Sequence, residues 1–371
     1  MVTPNSGAYR TVTSCRETAD TREKTNLRES HHTQIGPGLK KRVSVIIPTY
    51  NRPEDLRITL ESIACQSNPP IEVIVVDDSS DSRTNDLLHV MQGMFADQFV
   101  ELKHLRGEGQ RSLPCARNRG LEVSNGDVVM FLDDDVTLEQ NYIEEVLRTY
   151  SSHPSAKGVQ GYWGGDTEPS GKAKLIDLYR KFFSLFHFTR NECTVLPSFE
   201  VTYPLNLEEE ISCDWLSGCN QSYVRCVFTE FKFDEKLRSY APGGEDIDFS
   251  MRVSKEYPGS LFITPKAKLT HRNSTVSRTP SRDLVFMRSV YKKYFFFKNI
   301  EPSLRNRMVF SWSSIGNMIM FMLTALAHLK LSRNAITEII LPLNAEIFCF
   351  KHRNEIKAKE LGFLDDYLRL Q

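Results

Sequence analysis

Asp133, Asp134 and Asp135 follow directly on five apolar residues, Val128–Leu132, in the stretch VVMFLDDDVTL. Three adjacent carboxylates repel one another, and taking them out of water is costly unless a cation or hydrogen-bond donors compensate. Asp also suits solvated loops and helix N-caps, so the triplet alone has a bland reading. The sharper reading is a divalent-cation site, because hard cations prefer carboxylate oxygens. A second acidic pair, Glu245 and Asp246, follows Gly243 and Gly244, which permit a tight backbone approach before a helix. The helix macrodipole alone favours acids there, while a carboxylate so placed can also accept a proton from a hydroxyl. Asp77 and Asp78 close a third apolar run, IEVIVVDD. His271, in KLTHRNS, is a lone histidine, a type more often structural than ligating.

The elements around these residues give them a common address. VSVIIP, residues 43–48, is a β-branched run ended by proline, as expected of a buried strand. RPEDLRITLESIACQ carries Leu56, Leu60, Ile63 and Ala64 at helical spacing, and IEVIVVDD is a second buried strand. A helix over 82–95, a third strand at FVELKHL, a helix over Ala116–Val123 and a strand at GDVVMFLDDD follow. Alternating strands and helices with short turns predict a parallel sheet covered on both faces. Ligands of such sheets gather at the carboxyl ends of the strands. That edge would carry Pro48–Asn51, Asp77 with Asp78, and the Asp133–Asp135 triplet, which separate solvated loops explain poorly. PTYNRP after the first strand has neither a GxGxxG fingerprint nor a GxxxxGK[ST] loop. Backbone amides of such a loop therefore do not hold a phosphate here, and a metal on the aspartates would neutralise a diphosphate instead.

Composition narrows the classes further. The chain has 371 residues, 40% hydrophobic and 25% charged, enough for a sizeable core. Lys+Arg and Asp+Glu both number 47, so the net charge of zero gives no global argument for a nucleic-acid partner, and none is expected. Eight cysteines, scattered and without a CxxC pair, read as reduced thiols in a cytosolic setting. The first 40 residues are rich in Thr, Arg, Glu and Ser, without a signal-peptide core, and read as a disordered tail; the adjacent His31 and His32 within it read as solvated.

From Arg42 to Asn273 the sequence resembles the family 2 glycosyltransferases of the GT-A fold. The resemblance rests on VSVIIPTYNRPEDLRITLESI, IEVIVVDDSSD, LPCARNRGLEVSNGDVVMFLDDD, WLSGCNQSYVRCVF and GGEDIDFSMRV, in that order. It implies a mostly parallel central sheet flanked by helices and a site for a nucleotide-diphospho sugar. Pro48, Tyr50, Arg52, Asp77 and Asp78 would line the nucleoside pocket, with Arg117 and Asn118 near the nucleotide unless they merely decorate a surface helix. Aligned on the family's DxD motif, Asp133 is the nucleoside-side carboxylate and Asp135 the metal ligand. Asp134 joins the donor site or, pointing to the other face by strand alternation, is a structural hydrogen-bonder. The resemblance further implies Asp246 as general base with Glu245 as second candidate, His271 as a metal or diphosphate contact, and Trp215 as part of the acceptor pocket. Asp248 has no assigned role. The implied cofactor is Mn²⁺ or Mg²⁺, the favoured donor a UDP-sugar before dTDP or GDP, and the acceptor a glycan or glycolipid.

The expected organisation is a tail over 1–40, a GT-A domain over 41–280 and a helical C-terminal region over 281–371. In that last region the uncharged segment 308–327 is long enough to span a bilayer. A weak polar stripe at Ser311, Ser314, Asn317, Thr324 and His328 keeps three alternatives open: a spanning helix, an interfacial helix and a buried contact. Bases and aromatics in SVYKKYFFFKN would lie on the cytoplasmic side, favouring attachment to the inner face of the plasma membrane. Two rival functions stand beside the transferase. A nucleotidyltransferase would need a glycine-rich basic loop where PTYNRP stands, and a non-catalytic membrane or assembly subunit would not need both acidic motifs. Oligomeric state is not legible.

Overall fold

The computed structural model describes residues 41–107, 111–164, 170–237, 243–276, 281–328 and 335–369. The first 40 residues, and with them the expected tail and the His31–His32 pair, lie outside the described residues. The N-terminal half lays down β1 (Val43–Thr49), α1 (Pro53–Ala64), β2 (Glu72–Asp77), α2 (Arg83–Ala96), β3 (Glu101–Arg106), α3 (Leu113–Glu122) and β4 (Val128–Phe131). β5 (Val136–Leu138), α4 (Tyr142–Ser152), β6 (Gly158–Tyr162), α5 (Lys172–Phe182), β7 (His187–Thr189), β8 (Thr202–Pro204), β9 (Ile211–Ser212) and β10 (Gln221–Val224) come next. After α6 (Glu245–Glu256) and β11 (Leu261–His271) the chain is helical: α7 (Ser281–Asn299), α8 (Leu304–His328), α9 (Ala335–Lys351), α10 (Arg353–Lys357) and α11 (Gly362–Arg369).

The main sheet runs β3-β2-β1-β4-β10-β6-β11-β5, with β9 on β11. β3, β2, β1 and β4 are mutually parallel, as the alternating pattern predicts. β10 is antiparallel to both its neighbours, so the sheet is mostly rather than wholly parallel. Every residue of β1 and of β2 is buried, because both faces are covered. Val43, Val45 and Ile47 pack with Leu56, Leu60 and Ile63 of α1 and with Leu88 and Phe95 of α2. Ile46, Ile74 and Val76 point the other way, toward Ala116 and Leu121 of α3 and Phe249 and Val253 of α6. Each such fully buried aliphatic side chain contributes roughly 1.5–3 kcal/mol.

α3 starts at Leu113, earlier than the apolar spacing suggests, because the Ser112 hydroxyl accepts the Cys115 N–H at 3.4 Å as an N-cap, with Pro114 in the first turn. α7 packs on α9 and α10 through a third core that includes Tyr294, Phe295, Phe296, Cys349 and Ile356. A buried polar tie joins this bundle to α6. Lys298 donates to Asp248 at 3.0 Å, Asn299 donates to Asp248 at 2.8 Å, and Tyr294 and Lys298 both donate to Asp234. Asp248, unassigned in the sequence, is therefore a structural anchor.

Segment 308–327 lies within α8. Among the described residues no helix is long and apolar enough to cross a membrane. α8 instead packs against α5 and α9: Trp312 donates its indole N–H to Phe182 O at 2.8 Å, and Tyr179 donates to Gly316 O at 2.7 Å. Ser314 and Asn317 line a cavity, while the side chain of His328 lies outside the described residues.

Candidate active site

The carboxyl ends of β1, β2 and β4 lie side by side, so the acids after them share one edge of the sheet. β4 ends at Phe131, and the chain turns through Asp133 and Asp134 into β5, which pairs antiparallel with the end of β11. That pairing sets His271 opposite Val136 and brings its Nε2 to 3.0 Å from Asp135 and 3.9 Å from Asp133. One ligand atom from each of Asp133, Asp135 and His271 falls within 4.8 Å of the others. Two hard carboxylates and one borderline imidazole form a donor set that suits Mn²⁺ and accommodates Mg²⁺.

The three aspartates have different surroundings. Burial alone would raise the Asp135 carboxyl, but the His271 hydrogen bond and the Ser274 N–H at 2.8 Å override it and hold it at about 2. Burial would lower His271, yet the bond to Asp135 lifts it to about 11. Asp134 is buried, accepts from Thr49 Oγ1 at 2.8 Å and pairs with Arg52 at 3.1 Å. Burial pushes Asp134 up to about 7, against the pull of Arg52. Asp134 is thus bound by Thr49 and Arg52 rather than by His271. Burial also raises Asp133, opposed by Arg117 and His271.

Arg117 connects this cluster to the second acidic pair. It is fully buried and donates to Glu245 and to Gly218 O, both at 2.9 Å, while its guanidinium lies 3.6 Å from Asp133. The Gly218 N–H in turn donates to Asp246 Oδ2 at 2.7 Å, and the Ile247 N–H to Asp246 Oδ1 at 2.9 Å. A Cβ on Gly218 would meet Arg117 at 2.9 Å and Asp246 at 3.2 Å, so this close passage needs glycine. Gly244 precedes α6 at φ +101°, where a Cβ would also lie 2.7 Å from Phe295. Burial and the neighbouring Asp246 raise the Glu245 carboxyl, and Arg117 opposes them.

The remaining predicted residues fall into place around this frame. Asp77 is wholly buried and takes Arg106 at 2.8 Å, His104 at 3.1 Å and the Ser79 N–H at 2.9 Å. Asp78 is buried and paired with Arg119. Pro48 is buried at the end of β1, Tyr50 is half-buried beside it, and Arg52 also donates to Val276 O at 2.8 Å. Asn118 is buried and bonds Phe233 and Glu235, so neither it nor Arg117 decorates a surface helix, but Asn118 braces a loop rather than joining the acids. Trp215 sits in the core with its indole N–H on Thr202 O at 3.1 Å. Sequence reasoning missed Gly218, Ser274, Thr49 and Arg272. Arg272 straps β5 to α1 through Val136 O at 2.8 Å and Asp55 O at 2.7 Å. No disulfide joins the seven described cysteines.

The family model for Glycosyl transferase family 2 matches residues 44–204. Over that span the chain is similar to family 2 glycosyltransferases. Similar curated glycosyltransferases include the glucosyl-dolichyl phosphate glucuronosyltransferase of Haloferax volcanii, 31% identical over 38% of this chain and 43% of the relative. The poly(ribitol-phosphate) beta-N-acetylglucosaminyltransferase TarP of Staphylococcus aureus is 32% identical over 37% of this chain and 41% of its own. The chain thus spans less than half the length of these glycosyltransferases. Among solved structures, S. aureus TarS 1-349 aligns with a TM-score of 0.48 at 18% identity over 88% of this chain and 89% of that one. GalNAc-T7 with UDP, GalNAc and Mn²⁺ aligns with a TM-score of 0.49 at 17% identity over 75% and 55%.

Proposed function

We propose that the protein moves a sugar from a nucleotide-diphospho sugar, UDP-linked before dTDP- or GDP-linked, to an acceptor hydroxyl with inversion at the anomeric carbon. The observation that carries this reading is Arg117, a buried cation that lies against Asp133 on one side and Glu245 on the other, and reaches Asp246 through Gly218. It sets a metal-competent carboxylate cluster and a proton acceptor at a fixed spacing, which direct displacement requires. Asp133, Asp135 and His271 would hold Mn²⁺ or Mg²⁺, which when bound neutralises the diphosphate of the donor.

The rest falls to the chain's own groups. Two backbone N–H groups fix the Asp246 carboxylate, which takes the proton as the acceptor O–H bond breaks. The acceptor oxygen bonds to the anomeric carbon from one face, and the bond from that carbon to the diphosphate oxygen breaks on the other. The nucleoside diphosphate leaves with the electron pair. Pro48 and Tyr50, backed by the Arg52–Asp134 and Asp77–Arg106 pairs, would shape the nucleoside pocket. The acceptor is a glycan or glycolipid of cell-surface polymer synthesis, the class to which the names of the relatives also point.

Attachment to the inner face of the membrane would use α5 and α8. α5 buries none of its residues and exposes Leu175, Leu178 and Phe182 beside Lys172, Lys174 and Lys181. Next to it α8 exposes Met308, Trp312 and Ile315. Such a face suits the interface of an anionic bilayer without crossing it.

Turnover of UDP-, dTDP- and GDP-sugars with Mn²⁺ and with EDTA tests the reading. We expect metal-dependent transfer by the wild type and a loss of about 10²–10⁴-fold in Asp246→Asn, with donor affinity kept. Full turnover by Asp246→Asn removes it as the base. No turnover of any donor favours a non-catalytic subunit.

A further inference from the structure

Asp246 also lines a cavity of about 580 Å³ that runs from the site into the C-terminal helices. That volume is in the range of small-molecule sites, roughly 300–1,000 Å³. Most of the cavity wall comes from α7, α8 and α9, beyond residue 204 where the family match ends. The ionisable groups on this wall balance: Arg288, Lys292 and Lys293 against Glu200, Asp246 and Glu346. Lys292 and Lys293 are paired with two of the acids. Glu200 Oε1 accepts from Lys292 at 2.6 Å and from Asn317 at 3.2 Å, Lys292 donates again to Ser313 at 2.8 Å, and Lys293 pairs with Glu346 at 2.7 Å.

A cavity built for a phosphate or carboxylate would carry surplus positive charge. This one offers fixed donors and acceptors side by side, and a hydroxyl is the group that both donates and accepts. Phe199 and Phe295, stacked with centroids 5.0 Å apart, add a flat apolar wall of the kind the C–H face of a sugar ring covers. Tight passage of Gly244 against Phe295 keeps that wall next to the start of α6, where Asp246 lies.

We infer that this cavity is the acceptor site, and that Glu200, Lys292 and Asn317 read the hydroxyls of an uncharged sugar or polyol unit. The inference rests on Asp246 as the base, and it makes the C-terminal helices the part of the chain that selects the acceptor.

Saturation-transfer NMR on the full chain tests it, with methyl glycosides of glucose, galactose, mannose and N-acetylglucosamine as probes and glycerol 3-phosphate as the anionic comparator. At least one methyl glycoside is expected to bind the wild type. Asn317→Ala, at an exposed position, and Glu200→Gln should each weaken it fivefold or more. Asp135→Ala should leave glycoside binding unchanged. The inference is overturned if no glycoside binds, if only glycerol 3-phosphate binds, or if both cavity variants bind as the wild type does. Metal-dependent stabilisation by UDP, followed in the same variants, separates the two readings. Its absence with Asn317-dependent glycoside binding would sink the donor reading alone, and the reverse pattern would sink the cavity alone.

Discussion

The acids after β2 and those after β4 sit on the same edge of the sheet and are treated in opposite ways. Asp77 and Asp78 are fully buried, and each has its own cation, Arg106 and Arg119. Asp134, after β4, follows the same pattern with Arg52. Asp133 and Asp135 instead share His271, and Asp133 and the histidine keep 29% and 25% of their side chains exposed. A buried carboxylate closed off by a guanidinium holds the chain in place. Carboxylates that converge on a shared, partly open partner are available to a ligand. Counting acids at a strand end cannot separate the two kinds, whereas asking which ones converge on one partly open histidine can.

Substitution within the triplet sharpens that contrast. Asp134→Ala takes the buried acceptor from both Thr49 and Arg52 and should cost about 2 kcal/mol or more in urea unfolding. Asp133→Ala removes a partly exposed group and should cost less than about 1 kcal/mol. Equal losses at the two positions would erase the distinction. A smaller effect is expected where α6 meets α7. Burial would raise Asp234, but Lys298 and Tyr294 hold its carboxyl below the usual range. Because the folded value is depressed, this stability is present above the unfolded pKa of about 3.9 and is lost as pH falls through the folded value. Asp234→Asn should therefore flatten the acid limb of Tm against pH below about 5, and an unchanged limb would show that the tie does not titrate.

Much of the frame was legible in the sequence. Runs such as VSVIIP and EVIVVD have one stable use, as strands covered on both faces, and glycine-glycine before an acidic helix start marks α6. The direction of β10 was not legible, because QSYV carries no directional signal and its partners are set by distant segments. The cations of Asp77 were hidden for a similar reason: Arg106 lies opposite it only through the β2–β3 register. Asn118 and Trp215 look like site residues beside the motifs, yet their polar groups are taken by loop and strand backbone. Gly218 gave one faint sign, a small residue in WLSGC ahead of a strand, but only the fold sets it between Arg117 and Asp246. The cavity could not be foreseen, since Glu200 and Asn317 lie 117 residues apart.

The most direct test of the converging cluster is calorimetric titration of UDP, dTDP and GDP into the full chain, with Mn²⁺ and with EDTA. One nucleoside diphosphate should bind the wild type only with Mn²⁺, and Asp135→Ala should lose that binding while remaining folded. Equal affinity with Mn²⁺ and EDTA, or undiminished metal-dependent binding by Asp135→Ala, would contradict the assignment of Asp133, Asp135 and His271 as the metal-holding end of the site.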